Sequence, residues 1–104
     1  MNELTLGNGS VIQVAEHDFA NQFDWATAIL MCQEMGDGWR LPTIDEFRKI
    51  YKYKDKIGGF ARKYCWSSTE TDDGNARFFG FSDGSAYATI KDEANYVRAV
   101  RSLK

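Results

Sequence analysis

Gly38-Trp39-Arg40-Leu41-Pro42-Thr43 constrains this chain more than any other stretch. Pro42 is the only proline in the sequence. Its ring fixes its own φ and drives Leu41 out of the helical region into an extended conformation. Directly behind it, Thr43-Ile44-Asp45-Glu46 has the spacing of a capping box. The threonine hydroxyl can accept from the amide of residue 46, and Glu46 can reach back to the amide of residue 43. A helix therefore opens at Thr43, with Asp45 and Glu46 at the positive end of its dipole. Ile44, Phe47, Ile50 and Tyr51 give it one apolar face. It fades in the alternating charges of Lys52 to Lys56, a solvated tract, and ends at Gly58-Gly59.

A first helix precedes the joint. Asp24 is its N-cap, Trp25, Ala28, Ile29, Cys32 and Met35 form its buried face, and Gly36 is its C-cap. Asp37-Gly38 completes the turn. Gly38 to Thr43 is then a short, buried, extended connection that sets two helices relative to each other.

The flanks have β character. Asn8-Gly9 predicts a two-residue hairpin turn joining Leu4-Thr5-Leu6 to Val11-Ile12-Gln13-Val14. Glu16 to Phe23 is a polar loop with two aromatic anchors. Tyr64 to Thr69 is aromatic and β-prone, Thr71 to Asn75 is a turn, and Ala76 to Phe81 is a strand. Asp83-Gly84 is expected to turn that strand back into Ala86 to Ile90, and Tyr96 to Arg101 alternates as a final strand. Side chains alternate along a strand, so Phe78, Phe79 and Phe81 cannot share one face. One ring stands opposite the other two, packed under another element or exposed for interaction. Helices in the first half and an antiparallel meander in the second define a single α+β domain over residues 1–104.

Composition excludes several functions. Apolar residues make up 43% and aromatic residues 14%, too much for a disordered chain. A net charge of −2 gives no basic footprint for nucleic acid or for an anionic membrane surface. Residues 1 to 7 have neither a basic region nor a long apolar run, so no signal peptide is expected, and no stretch approaches a membrane span. The chain as written is expected in the cytoplasm, or as part of a larger exported or phage assembly.

No catalytic constellation emerges. His17 has no serine, cysteine or acid placed by local spacing to work with it. Ser67-Ser68-Thr69 has no base and suits hydrogen bonding at a strand end. Cys32 and Cys65 make no disulfide framework; each is expected as a small buried apolar residue, with a bridge between them left open. A lone histidine and two distant thiols give no metal spacing, and no cofactor is expected. Asp72-Asp73-Gly74-Asn75 holds oxygen ligands, but turns need the same residues. Trp25 and Trp39 are expected in the core, and Arg40 and Arg98 are expected to satisfy carbonyls or carboxylates such as Asp37 or Glu46.

Several motifs stand in a familiar order: Trp25-Ala26 with Cys32, the Gly38–Thr43 joint with Glu46-Phe47, then Cys65-Trp66-Ser67-Ser68-Thr69, Ala76, Phe81, Gly84, and Tyr96-Val97-Arg98-Ala99-Val100-Arg101. Over about residues 19 to 101 the chain resembles a bacterial domain-of-unknown-function family with a C-type-lectin-like fold. That family includes the C-terminal domain of a collagen-like surface adhesin. The chain is also similar to the variable proteins diversified by retroelements and, more distantly, to the formylglycine-generating-enzyme superfamily. The resemblance implies two helices packed on small antiparallel sheets, with the N- and C-terminal strands close together. It also implies a non-catalytic module that meets a protein or glycan through loops of the second half. Glu70, Asp72, Asp73, Asn75, Arg77, Tyr87, Lys91 and Asp92 are then the candidate ligand-binding residues. The alternative is a structural or assembly domain of a phage or surface appendage, in which self-association matters. Many relatives carry a cysteine where Ala99 stands, suited to bridging the first-helix cysteine; here Cys32 lacks that partner. The paired calcium and sugar motifs of many true C-type lectins are also missing.

Overall fold

The computed structural model describes residues 2–58 and 63–103. The capping box forms as its spacing predicts. The Thr43 hydroxyl accepts from the Glu46 amide at 3.1 Å, and the Glu46 carboxylate accepts from the Thr43 amide at 2.8 Å. Helix α2 runs Ile44–Lys52 behind this cap and buries Ile44, Phe47 and Ile50, the expected face. Helix α1 spans Trp25–Glu34 and is capped by Asp24, whose carboxylate accepts from the Thr27 amide. Ala28 and Cys32 are its buried residues, whereas Met35, expected on the same face, is the C-cap and 40% exposed. The backbone then passes through three left-handed residues in a row, Gly36, Asp37 and Gly38, which turns it sharply into the joint.

A third, single-turn helix, α3, covers Lys54–Ile57, where α2 was expected to fade. Gly58 follows it at φ 79°, and Gly59 lies outside the described residues.

The strands form two antiparallel three-stranded sheets. One contains β1 (Asn2–Thr5), β2 (Val11–Val14) and β6 (Val100–Ser102) in the order β1-β2-β6. The other is a meander of β3 (Tyr64–Glu70), β4 (Asn75–Gly80) and β5 (Ser85–Ile90). The protein is therefore an α+β domain whose N- and C-terminal strands share a sheet.

Both predicted hairpin turns form at the right place, the first with a three-residue loop and the second one residue earlier than the strand bounds predict. Leu6 and Ser10 are still hydrogen-bonded, so the first loop is Gly7-Asn8-Gly9, closed by the Gly9 amide on the Leu6 carbonyl. Only Gly9 is left-handed, at φ 86°, which is the three-residue hairpin arrangement. The β4–β5 loop has four residues, because Gly80 pairs with Ser85. Phe81, expected as the last strand residue, instead turns its ring into the core.

The final strand is also shorter than Tyr96 to Arg101. Residues 95–99 are extended but pair piecemeal. Asn95 bridges Phe23, Tyr96 bridges Cys65, and Val100 bridges Arg40 in the joint. Amides of Ala15 and Phe19 donate to carbonyls of Ala99 and Val97. The C-terminal stretch thus threads past both sheets and the joint, and its backbone groups are met by elements distant in sequence.

Two apolar clusters result. Ile44, Phe47 and Ile50 of α2 pack on Ile12, Val14, Cys65, Phe79, Phe81 and Val100. Leu41 of the joint packs with Ala28, Cys32, Trp66, Ala76, Val97 and Ala99. Leu41 and Ile44 stand three residues apart in different clusters, so the joint couples them. Trp25 and Trp39 are half-buried at the edge of the second cluster; the fully buried tryptophan is Trp66. The Arg101 guanidinium lies over the Trp39 ring, 5.1 Å from its centre. Trp25 keeps an exposed side but donates its indole N–H to the Ser67 carbonyl at 2.8 Å.

Candidate functional site

The scaffold motifs hold one another. The Ser68 amide and hydroxyl both donate to the Pro42 carbonyl, and the Thr69 hydroxyl accepts from the Ile44 amide. Ser67 donates to the Arg77 carbonyl and accepts from the Thr69 amide, across a register shift between Trp66 and Glu70. These hydroxyls do the work of ladder bonds where the strand is irregular, the strand-end role expected of them. Arg40 forms a two-pronged pair with Glu46 at 2.7 and 2.8 Å. Burial alone would raise the Glu46 carboxyl, but Arg40 and the Thr43 amide hold it below its ordinary value. Arg98 does not pair with Asp37 or Glu46. It is fully buried, donates to Asp18 at 2.6 Å and to the Ala15 and Gly58 carbonyls, while Lys63 takes the other Asp18 oxygen.

Both thiols are free and buried. Burial pushes Cys32 up to about 12 and Cys65 higher still, so neither is poised as a thiolate nucleophile. Cys32 shares its cluster with Ala99, and Cys65 belongs to the other cluster. His17 lies exposed in the loop after β2. Among the described residues no group of three or more His, Cys, Asp or Glu side chains gathers as a cation site.

The candidate binding residues divide. Five of them gather around the β3–β4 turn. Lys91 is the hub: its ammonium donates to Glu70 at 2.6 Å and to the Asp73 carbonyl at 2.8 Å, and its amide donates to the Gly74 carbonyl. It also lies 4.4 Å from the centre of the Trp25 ring, whose backbone amide donates to the Lys91 carbonyl. Asp72 accepts from the Gly74 amide and the Asn75 side chain, and those bonds hold its carboxyl below the usual range. The acidic turn is thus closed on itself. Asp92 follows on the next turn, exposed.

Arg77 and Tyr87 stand apart from this group. Arg77 lines a small hollow with Thr69 and the α2 residues Ile44, Asp45 and Arg48. Tyr87 belongs to an aromatic patch with Tyr64 and Phe78, and its hydroxyl donates to Asp83. That bond raises the Tyr87 phenol and lowers the Asp83 carboxyl. Phe78 is the ring that alternation separates from its neighbours: Phe79 and Phe81 enter the core, and Phe78 faces this patch. Tyr64 and Asn95 complete the patch, and neither was marked by its local sequence.

A larger hollow, about 810 Å³, lies elsewhere, between the first hairpin loop, α2 and Ser102. Four of its charged side chains are already matched as Arg40–Glu46 and Arg48–Asp45. It shares none of the second-half candidate residues.

Such a molecule is a small α+β domain that displays polar and aromatic side chains on a braced meander. The Lcl C-terminal domain family matches residues 8–101, and the chain belongs to that family. No curated protein matches the chain. No helix among the described residues is long and apolar enough to cross a membrane.

Proposed function

We propose that this domain is a non-catalytic binding module whose second-half surface meets a protein or glycan partner, on a C-type-lectin-like scaffold. One observation carries this most directly. Lys91 ties Glu70, the Asp73 carbonyl and the Trp25 ring into one fixed patch on the meander. Side chains already ordered in the free protein lose little entropy on binding. Membership of the Lcl C-terminal domain family is consistent with a binding or structural module. Buried thiols with raised pKa values and an isolated, exposed His17 favour binding over catalysis.

Glycan and protein arrays probed with the wild type and with a Glu70→Ala/Lys91→Ala double variant test this. Binding that the variant loses, at an unchanged melting temperature, is the expected result. The absence of any binding that depends on these residues would count heavily against it.

Self-association is the second reading. Strand β5 is an outer strand of its sheet and exposes Ile90 at 52%. Unpaired edges with apolar side chains invite strand addition. Light scattering that shows a monomer at high concentration removes this alternative.

A further inference from the structure

The two edges of the meander sheet differ. Bonded pairs alternate along an antiparallel ladder, so a residue whose backbone groups face one neighbouring strand is followed by one whose groups face the other way. In β3 the Tyr64 carbonyl and the Trp66 amide turn away from β4 and bond Tyr96, and the Ser68 amide bonds the Pro42 carbonyl. The C-terminal stretch and the joint therefore cover the β3 edge. Across the register, Cys65 then exchanges bonds with Phe79 of β4, Phe78 faces Tyr87 of β5, and Ser85, Tyr87 and Thr89 turn their backbone groups towards β4. The Lys91 amide, which donates to the Gly74 carbonyl, continues the same alternation.

Ala86, Ala88 and Ile90 are left with their backbone groups pointing outwards. Among the described residues, their three amides and the carbonyls of Ala86 and Ala88 have no protein partner, while the Ile90 carbonyl accepts from the Glu93 amide. Gly58 and Lys63, between which the chain is not described, are both tied to the Arg98–Asp18 pair near β3, at the opposite edge. Outer strands are ordinarily guarded by charge, proline or a bulge. Strand β5 has none of these: Ser85-Ala86-Tyr87-Ala88-Thr89-Ile90 carries no charge and no proline, and its register with β4 is unbroken. Ala88 and Ile90 are exposed.

Resting on the self-association reading above, we propose that β5 pairs with β5 of a second copy of the chain, antiparallel about a two-fold axis at Ala88. The strand's own sequence selects this occupant and this register. Only outward residues can exchange bonds, so Ala86, Ala88 and Ile90 must meet one another, and a slip of one residue is excluded. With Ala88 opposite its own copy and Ala86 opposite Ile90 on either side, all three are used. An axis at Tyr87 would set Ile90 against Gly84, and one at Thr89 would set Ala86 against Asp92, in both cases beyond the strand. Tyr87 and Thr89 then meet across the axis in the closer, non-bonded pairs, an aromatic against a β-branched side chain, which is a favourable combination on a sheet. No like charges meet within the pairing, since Lys91 stands opposite Ser85. Ile90, 52% exposed in the single chain, is covered by the partner's Ala86. The pairing joins both meanders into one continuous sheet and sets the two Lys91 positions about 20 Å apart along it. At that spacing one extended ligand can engage both polar patches.

Sedimentation equilibrium from micromolar to millimolar concentration tests the proposal, on the wild type, on Ala88→Lys, on Ala88→Glu and on an equimolar mixture of the two variants. The wild type should reach a dimer. Each variant alone should stay monomeric, because like charges would stand directly opposite on the axis, and the mixture should recover the dimer. Ala88 is exposed and its amide lies outside the β4 ladder, so both variants should keep the wild-type melting temperature. In the wild type, hydrogen exchange at the amides of Ala86, Ala88 and Ile90 should slow as the dimer fills. A wild type that stays monomeric overturns this pairing and the self-association reading together. An oligomer that both variants retain, an oligomer other than a dimer, or a mixture that stays monomeric overturns the β5 pair alone. So does protection of these amides in the monomer by an octapeptide of alternating threonine and valine, which would give the edge to a foreign strand.

Discussion

Gly84 shows how two independent constraints can meet at one residue. Its φ is 73°, and an added Cβ would lie 2.6 Å from the Tyr51 ring. A left-handed conformation costs a side-chain-bearing residue roughly 1–2 kcal/mol, and forcing atoms into a packed space typically costs about 1–3 more. Gly84→Ala should therefore lower stability by about 2–5 kcal/mol, measured by urea unfolding. Gly9→Ala makes the control: it is left-handed too, but open space surrounds it, so only the conformational part should appear. Glu46 belongs at the same scale. Its carboxyl is held below its ordinary 4.5, so as pH falls the unfolded chain takes up that proton first. The stability it contributes is whole above pH 4.5 and is lost as pH drops through its lower, folded value. Glu46→Gln should flatten the acid limb of a stability–pH curve measured by denaturant unfolding.

Among the elements, α2 depends on its entry. The capping box satisfies amides that no helical carbonyl can reach, and Thr43→Ala should cost about 1 kcal/mol in thermal or urea unfolding. A loss well above that would mean that Thr43 also holds the joint. The strand β3 depends on hydroxyls where its ladder is irregular. Cys65, Trp66 and Ser67 are buried in succession because both faces of the strand are covered: Cys65 enters one apolar cluster and Trp66 the other, and the register shifts before Glu70. Local sequence exposed the helices and their caps because a cap is a contact between residues three apart. It found both hairpins because Asn-Gly and Asp-Gly are turn-forming pairs. It missed where the strands stop, which depends on how far each partner strand continues before packing ends it: Phe81 leaves β4 to join the core, and the β4–β5 loop falls at residues 81–84, one residue early.

For the molecule as a whole, the C-terminal stretch is the integrating element. It contacts the first hairpin, the aromatic loop, β3 and the joint, and Arg98 anchors it inside. Breaking a buried ion pair by removing one partner typically costs about 3–5 kcal/mol, because the other charge stays buried. Lys63 still pairs with Asp18 when Arg98 is removed, so Arg98→Ala should fall near the lower end of that range, about 3 kcal/mol, in chemical denaturation, while Arg48→Ala, which removes an exposed pair, should change stability by less than about 0.5 kcal/mol. Hydrogen exchange should find the amides of Trp66, Tyr96 and Val100 among the slowest, since their carbonyl partners come from other parts of the chain.

The sequence by itself determined where α1 and α2 begin, the centre of the face each buries, the antiparallel meander and the extended joint around Pro42. These follow from steric restriction and from bonds between near neighbours. The candidate surface was less legible. Glu70, Asp72, Asp73, Asn75 and Lys91 do gather, but Arg77 and Tyr87 lie further along the meander and on opposite faces of it, since Tyr87 pairs with Phe78 and Arg77 alternates with Phe78. One ring of the Phe78-Phe79-Gly80-Phe81 run had to face opposite to the other two; that Phe78 packs at the edge of the second cluster and meets Trp66, Tyr64 and Tyr87 is a tertiary fact. Only folding brought Asn95 into one hollow with those rings and Asp18 beside Arg98, because a contact between distant residues is set by the packing of whole elements and leaves no local pattern to read.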